Sequence, residues 1–338
     1  MNREITLIRG DGIGPEVIGA SLEVLDALGC TFTWDEQLAG TDAIAKTGSP
    51  LPPPTLESIR RTKMCFKGPL ATPSGGGYKS VNVTLRQELD LFANVRPAKT
   101  IPGVSLSRFD DVDIIIVREN TQGMYSGIDH WVDAEHTIAE AVSVITKPGS
   151  ERLIRFAFEY ARKEGRKKIT IAHKANILKL TSGLFLKTAQ EIAPLYKDIE
   201  YSELIIDNCC MQLVKDPSPK RFDMIVTTNL FGDILSDLTA GLVGGLGLAP
   251  GMNVGYGVYI FEAVHGTAPD IAGKGLANPT ATLNAAAMML HTLDMPKEAA
   301  RLEKALRVAI QDPATRTADL PGGKANTAQF TKGVISHL

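Results

Sequence analysis

Short β-rich apolar runs alternate with helical patterns along most of the 338 residues. EITLIR (4–9) leads into PEVIGASLEVLDAL (15–28), ERLIRFAFEYARKEG (151–165) into KITIAH (168–173), and FDMIVTT (222–228) into FGDILSDLTAGL (231–242), with DIIIVREN (113–120) between them. Such alternation predicts an α/β chain with a largely parallel sheet, since each parallel pair needs a long crossover that a helix usually supplies. The length suits two domains of roughly 150 residues each. No internal repeat or low-complexity linker interrupts the pattern. SPLPPP (49–54), LATPSGGG (70–77) and GGLGLAPG (244–251) are expected as loops or crossovers, the last as a chain return between domains.

A net charge of −2, with 44% hydrophobic and 22% charged residues, is that of an ordinary globular protein and argues against nucleic acid or an anionic membrane as partner. The basic run RKEGRKK (162–168) is expected as the polar end of a helix and a turn. Cys30, Cys65, Cys209 and Cys210 form no CxxC, which points to buried reduced thiols. MNREITLIRG enters a strand pattern directly, with no leader-like segment, so the expected location is cytoplasmic. ATLNAAAMMLHTL (281–293) is too short to span a bilayer, and its Met288 and Met289 are expected in the core.

RGDGIGPE (9–16) lies where dinucleotide-binding folds place a glycine-rich turn. Gly10, Gly12 and Gly14 give GxGxG, without the last glycine of GxGxxG. Pro15 suits a first helical turn and removes a backbone donor that a pyrophosphate would use there. A tight structural turn fits these residues better than a phosphate cradle.

Ser80, Asn82 and Arg86 fall at a loop-to-helix junction, Arg96 ends one strand-like run and Arg118 ends another. Arginines bind carboxylates through paired planar hydrogen bonds. Three of them with hydroxyl and amide donors suit a di- or tricarboxylate, whereas single arginines are usually just solvated. Asp233 and Asp237, four apart in FGDILSD, share a helix face and repel by ~0.2–0.5 kcal/mol. Their flanks read as buried, and burying unpaired carboxylates costs far more. A divalent cation, an arginine, or a plain polar helix face would each account for the pair. Asp207, closing ELIID, could add a third carboxylate for Mg²⁺ or Mn²⁺, which take hard oxygen ligands and keep some water.

Together and in order, GDGIGPE, SVNVTLR, ANVRP, VREN with YSG, HKAN, GDILSD, GGLGLAPG and HGTAPDIAG resemble the β-decarboxylating dehydrogenases of the isocitrate/3-isopropylmalate class over nearly the whole chain. The resemblance implies an α/β, two-domain isopropylmalate dehydrogenase-like fold that is not a Rossmann fold, with the active site in the interdomain cleft. Residues 1–98 and 250–338 would form the large, cofactor-side domain. Residues 99–249 would form the small one, with a dimerisation arm near 126–148 that ends at a helix starting near Ser150.

By matching motif, the resemblance assigns the substrate carboxylates to Ser80, Asn82, Arg86, Arg96 and Arg118, and general acid catalysis to Tyr125. It assigns proton transfer to Lys174 of the partner subunit, and a Mg²⁺ or Mn²⁺ ion to Asp233 and Asp237 with the partner's Asp207. Leu70, Thr72 and Asn176 would approach the nicotinamide, and Glu262, His265, Gly266, Thr267, Ala268, Pro269, Asp270, Ile271 and Asn278 the rest of the NAD. The implied activity is the oxidative decarboxylation of isocitrate to 2-oxoglutarate and CO2, a tricarboxylic acid cycle reaction, by a homodimer with shared active sites. Ser80 and Asn82 are polar where an isopropylmalate enzyme needs an apolar wall. Homoisocitrate dehydrogenase, isopropylmalate dehydrogenase and a noncatalytic regulatory subunit of a hetero-oligomer are the alternatives, although the last would lack part of the tyrosine–lysine–aspartate set present here.

Cofactor choice turns on Asp270 and Ile271, where the resembling NADP enzymes carry lysine and then tyrosine. A carboxylate accepts hydrogen bonds from ribose hydroxyls but repels a 2′-phosphate, by roughly 4 kcal/mol for unit charges ~4 Å apart at an effective dielectric of 20. After screening, NAD is expected to be favoured about a hundredfold or more. Asp270→Lys with Ile271→Tyr is expected to move the preference toward NADP. Steady-state kcat/KM with both cofactors checks this, and a wild type that favours NADP overturns it.

Overall fold

The computed structural model describes residues 3–73, 77–104 and 109–338, so residues 74–76 of LATPSGGG lie outside the described residues. The chain divides into two compact units. The first comprises Met1–Leu89, Thr100–Asp110 and Ala240–Leu338, and the second Asp90–Lys99 and Asp111–Thr239.

The first unit holds strands β1 (Arg3–Ile8), β2 (Phe32–Glu36), β3 (Met64–Lys67), β11 (Pro250–Val254) and β12 (Tyr259–Ala263). They lie in the order β2-β1-β3-β12-β11, parallel except that β11 runs antiparallel to β12. Its helices are α1 (Gly14–Ala27), α2 (Thr41–Thr47), α3 (Pro53–Thr62), α4 (Val81–Glu88), α9 (Thr280–Thr292), α10 (Pro296–Gln311) and α11 (Thr327–Ile335). SPLPPP is therefore only partly loop, because Pro53 and Pro54 begin α3, where a missing N–H costs nothing. Helix α9 is buried almost all round, with Met289 in the core and Met288 half-buried.

The second unit repeats the pattern with β4 (Ala93–Lys99), β5 (Asp113–Glu119), β8 (Lys168–His173), β9 (Glu200–Ile205) and β10 (Met224–Thr227). The order is β4-β5-β10-β8-β9, with only β4 antiparallel. A separate hairpin, β6 (Asp129–Trp131) and β7 (Ala139–Ala141), precedes α5 (Lys147–Lys163), which is followed by α6 (Thr181–Ile192), α7 (Ile206–Lys215) and α8 (Asn229–Val243). Helix α5 starts ahead of Ser150 because the Thr146 hydroxyl caps it, accepting from the Gly149 N–H at 3.1 Å, with Pro148 in the first turn. The run RKEGRKK closes α5, and Arg166 turns back to Asp223 at 2.9 Å. All four cysteines are free, and burial pushes the Cys65 and Cys209 thiols up to about 12.

RGDGIGPE is a structural turn. The Asp11 N–H donates to Pro69 O at 2.7 Å, Ile13 N–H to Thr267 O at 2.9 Å and Gly14 N–H to Asp11 O at 2.8 Å, so donors that a Rossmann turn would offer to a phosphate serve protein carbonyls. Gly12 has φ +58° and lies so close to Thr267 that a Cβ would collide with its backbone. The Asp11 carboxylate, 5% exposed, accepts the N–H groups of Thr41 and Ala71, each at 2.8 Å. Glu16, in the first turn of α1, accepts the N–H groups of Ala277 at 2.8 Å and Gly275 at 3.2 Å and the Thr327 hydroxyl. One turn thus anchors three loops, including both ends of the 265–278 segment.

Candidate active site

In the second unit, β5 delivers the VREN motif. Arg118 is 1% exposed, and its guanidinium meets the first turns of α8. Nε and Nη2 donate to Asn229 Oδ1 at 3.0 and 2.7 Å, and Nη1 donates to Asp233. Gly232 lets the helix come this close, since a Cβ there would sit 2.5 Å from Arg118 Cγ. Glu119 turns the other way and accepts the N–H groups of Thr121 at 3.0 Å and Gln122 at 2.7 Å. That turn leads to Tyr125, whose hydroxyl donates to Asp233 at 2.6 Å and whose ring lies 5.0 Å from the Arg118 guanidinium carbon.

Arg96, on β4, is held by Asn94 Oδ1 at 2.7 Å and Ser236 Oγ at 2.7 Å, and its Nη1 lies 3.4 Å from Asp233 and 3.8 Å from Asp237. Two arginines and a tyrosine therefore compensate Asp233. The aspartates are less buried than their flanks suggest: the Asp233 side chain is 37% exposed, Asp237 57%, and Ile234 between them is also exposed. Partial burial and the neighbouring Asp233 charge raise the Asp237 carboxyl pKa, against the pull of Arg96.

Hard oxygen donors one turn apart, one of them open to solvent, fit a divalent cation that keeps part of its water. Among the described residues, however, no three His, Cys, Asp or Glu side chains form a metal-sized group. Asp207, at the start of α7, instead pairs with Lys174, whose ammonium lowers the Asp207 pKa. Lys174 follows β8, and its N–H donates to Ser182 Oγ at 3.0 Å, while Asn176 is exposed.

In the first unit, Ser80 is the N-cap of α4, with its hydroxyl 3.2 Å from that of exposed Thr72. Leu70 is buried, and Asn82 Oδ1 is buried without a hydrogen-bond partner among the described residues. Arg86, 8% exposed, lies 3.8 Å from Glu262. Glu262 is itself 7% exposed and bonded to Lys67 at 2.6 Å and Asn253 at 2.7 Å. Burial alone would raise its pKa, but Lys67 and Arg86 together hold it at about 2. Lys67 and Asn253 escaped the sequence reading because a lone lysine ending a strand and a lone asparagine in another carry no pattern.

His265 donates from Nδ1 to the Gly266 carbonyl at 2.9 Å, which leaves Nε2 as an acceptor; Nε2 is buried and unpartnered among the described residues. Burial pulls the His265 pKa down, so the ring is neutral at pH 7. Ala268 takes φ +37°, a left-handed conformation held by the Ile13–Thr267 bond and by packing of Ala268, Ile271 and Ala272 against Ile13, Val17 and Ala277. Gly266, Pro269 and Asp270 are exposed. Asn278 spends its amide on Asp319 at 3.0 Å and on Thr280, so a ligand there would meet its backbone. An unpartnered acceptor at His265 and an exposed carboxylate at Asp270, in one segment of chain, fit the adenosine end of a dinucleotide.

The isocitrate/isopropylmalate dehydrogenase family profile matches residues 4–334. The chain is 49% identical over 334 residues to the Arabidopsis thaliana mitochondrial isocitrate dehydrogenase [NAD] catalytic subunit 5, covering 98% of this chain and 88% of that one. It is 48% identical over 302 residues to the chloroplastic 3-isopropylmalate dehydrogenase of Solanum tuberosum, covering 89% and 83%. The crystal structure of isocitrate dehydrogenase from Methylococcus capsulatus superposes with a TM-score of 0.96, at 54% identity and 99% coverage of both chains. The chain belongs to the isocitrate/isopropylmalate dehydrogenase family, and its fold is that family's α/β fold rather than a Rossmann fold.

The Lys67–Glu262 pair makes a pH-dependent prediction. The pKa of Glu262 lies below its ordinary 4.5, so its contribution to stability is complete above about pH 4.5 and fades as pH falls toward 2. Lys67→Met removes the ammonium in contact with a buried carboxylate, leaving Asn253 and the more distant Arg86, and is expected to cost about 3 kcal/mol at pH 7. At pH 4 the deficit should shrink, because the carboxylate can protonate. Urea unfolding at both pH values measures this; an equal deficit at both would refute the pairing as its source.

Proposed function

We propose that this chain is an NAD-dependent isocitrate dehydrogenase that uses Mg²⁺ or Mn²⁺ and forms 2-oxoglutarate and CO2. The observation that carries the reading is the convergence of Arg96, Arg118 and Tyr125 on Asp233, one turn from the exposed Asp237. Carboxylate binders, a proton donor and cation-binding oxygens then belong to one cluster. NAD, when bound, accepts the hydride, and the cation supplies the positive charge that polarises the substrate hydroxyl.

The chain's own residues do the rest. Arg96 and Arg118 bind substrate carboxylates, as do Ser80, Asn82 and Arg86. Tyr125 delivers a proton from its hydroxyl to the carbon that loses CO2, a positioned general acid. Arg118 against its ring holds that hydroxyl toward Asp233. Lys174 assists proton transfer, and Asp207, Asp233 and Asp237 provide the cation's carboxylates. Leu70, Thr72, Asn176, Glu262, His265 to Ile271 and Asn278 form the NAD side, with the unit that carries both termini as the cofactor side.

The potato relative favours a second reading, isopropylmalate, because its identity nearly equals that of the Arabidopsis isocitrate dehydrogenase. Ser80 and Asn82 argue against it. Polar groups arranged for a third carboxylate are left unpaired by an apolar substituent, and such sites reject it strongly.

The oligomer we propose is a cytoplasmic homodimer with shared sites, in which Lys174 and Asp207 come from the partner. Exposed Ile128, Trp131, Val132, Ile138 and Val142 around the β6–β7 hairpin support an interface there. Relatives named as subunits leave a hetero-oligomer as the competing arrangement. No described helix is long and apolar enough to cross a membrane.

Two experiments test these assignments. Purified chain assayed with isocitrate, homoisocitrate and isopropylmalate is expected to prefer isocitrate, to lose turnover on chelation and to regain it with Mg²⁺ or Mn²⁺. Isopropylmalate as the better substrate, or full activity after exhaustive chelation, would sink the reading. For the shared site, Tyr125→Phe and Lys174→Met homodimers should each be severely impaired. Coexpressed in equal amounts they form about half mixed dimers, so about a quarter of all sites recover, by twofold symmetry. No recovery despite verified exchange would place both residues in one chain.

A further inference from the structure

Among the described residues, the Asn229 side chain hydrogen-bonds Arg118 and no other group. It is 1% exposed, at the first position of α8, and its Oδ1 accepts both Nε (3.0 Å) and Nη2 (2.7 Å) of Arg118. Two bonds from one edge of a planar group to a single oxygen fix the direction of that plane. The opposite edge is thereby turned to Asp233, over the Tyr125 ring. Gly232 and Asp233, three and four residues on, share the same helix face, so a single face of α8 receives the whole arginine.

The identity of the acceptor is informative. Asn229 Nδ2 is buried with no partner among the described residues. The amide cannot turn over to relieve this, because Nδ2 would then face two N–H donors. An aspartate would make the same two bonds with no surplus donor, but it would put a second carboxylate on Arg118 beside Asp233. An amide accepts both bonds and adds no charge.

We propose that Asn229 is the positioning residue of Arg118, a neutral acceptor that fixes the guanidinium without placing a second carboxylate on it beside Asp233, so that an incoming substrate carboxylate meets one anion there rather than two. This rests on the substrate role of Arg118 proposed above. The test uses full-length Asn229→Ala, Asn229→Asp, Arg118→Lys and the double variant Asn229→Ala/Arg118→Lys.

One readout needs no substrate. The Arg118 Nε–H resonance in ¹H–¹⁵N spectra, assigned by its loss in Arg118→Lys, should be exchange-protected in the wild type and in Asn229→Asp and unprotected in Asn229→Ala. The second readout is kinetic. Both Asn229 variants should raise the KM for isocitrate about tenfold or more, the size of a lost charged hydrogen bond, while the KM for NAD holds. Asn229→Ala placed on Arg118→Lys should add less than about twofold, as expected for two residues acting through one interaction.

Protection retained in Asn229→Ala, an additive double variant, or a wild-type KM in Asn229→Asp would overturn the proposal. Should Asn229→Ala not fold, Asn229→Asp decides alone: retained protection with a raised KM supports the proposal, and any other result overturns it. A wild type that does not turn over isocitrate would instead remove the functional reading, and the resonance would still decide whether Asn229 fixes Arg118.

Discussion

A guanidinium 1% exposed near the end of β5 sets the terms for the second unit. Removing a charge from water costs several kcal/mol unless partners replace the lost solvation, and Arg118 finds them on α8. The contact has to be close, which excludes any side chain at position 232. It also needs an acceptor one turn earlier and a carboxylate one residue later. Asn229, Gly232 and Asp233 follow from that single demand. Once the register of α8 is fixed in this way, Asp237 falls one turn beyond Asp233 with its carboxylate open to solvent.

The first unit solves the same problem with different chemistry. Lys67 ends β3 and Glu262 lies in the neighbouring β12, paired in register in the interior of the sheet. Asn253, across the antiparallel β11–β12 pair, takes up a further lone pair of the carboxylate. With Arg86 close by, the Glu262 charge is over-compensated, which is why its pKa falls despite burial. The glycine-rich turn packs against Gly68 and Pro69, the residues that follow Lys67. It fixes the 265–278 segment through Thr267 at one end and Glu16 at the other, and so holds Ala268 in a conformation that a free chain would leave.

These two halves differ in how far the sequence exposes them. The alternation of strand and helix patterns, Pro15 in a first turn and the helix around FGDILSD are local properties of the chain, and all are found in the structure. RGDGIGPE was legible as a turn because Pro15 and the missing glycine spoke against a phosphate site. Its partners, Pro69 and Thr267, were not, since nothing local ties them to it. The compensation of Asp233 stood open between cation and arginine for the same reason: Arg96 and Arg118 lie 137 and 115 residues away in the chain. Lys67 and Asn253 are single polar residues in apolar runs, and Asn229 follows two threonines at the end of one. Periodicity treats such a residue as noise, and only the assembled sheet gives it a partner.

Polar atoms left over after this accounting are the most informative part of the first unit. Asn82 Oδ1, His265 Nε2 and Thr317 Oγ1 are buried and without a hydrogen-bond partner among the described residues, and the first two belong to residues proposed above to bind substrate and NAD. Each such atom costs about 1–3 kcal/mol when it is cut off from water. Folded chains satisfy nearly all buried polar groups, so an exception calls for a specific reason. For His265 the tautomer is settled by the Gly266 carbonyl, and Nε2 can therefore only accept. An incoming group with an N–H or O–H, such as an amino-substituted base, recovers the loss. For Asn82 the amide is free to present its nitrogen instead, because no donor holds Oδ1 in place, and an incoming carboxylate then gains a hydrogen bond at no expense to the protein. The two orphans thus ask for chemically different ligands, a donor at one and an anion at the other. A dinucleotide together with a carboxylate-rich substrate supplies that combination, and a single apolar ligand does not.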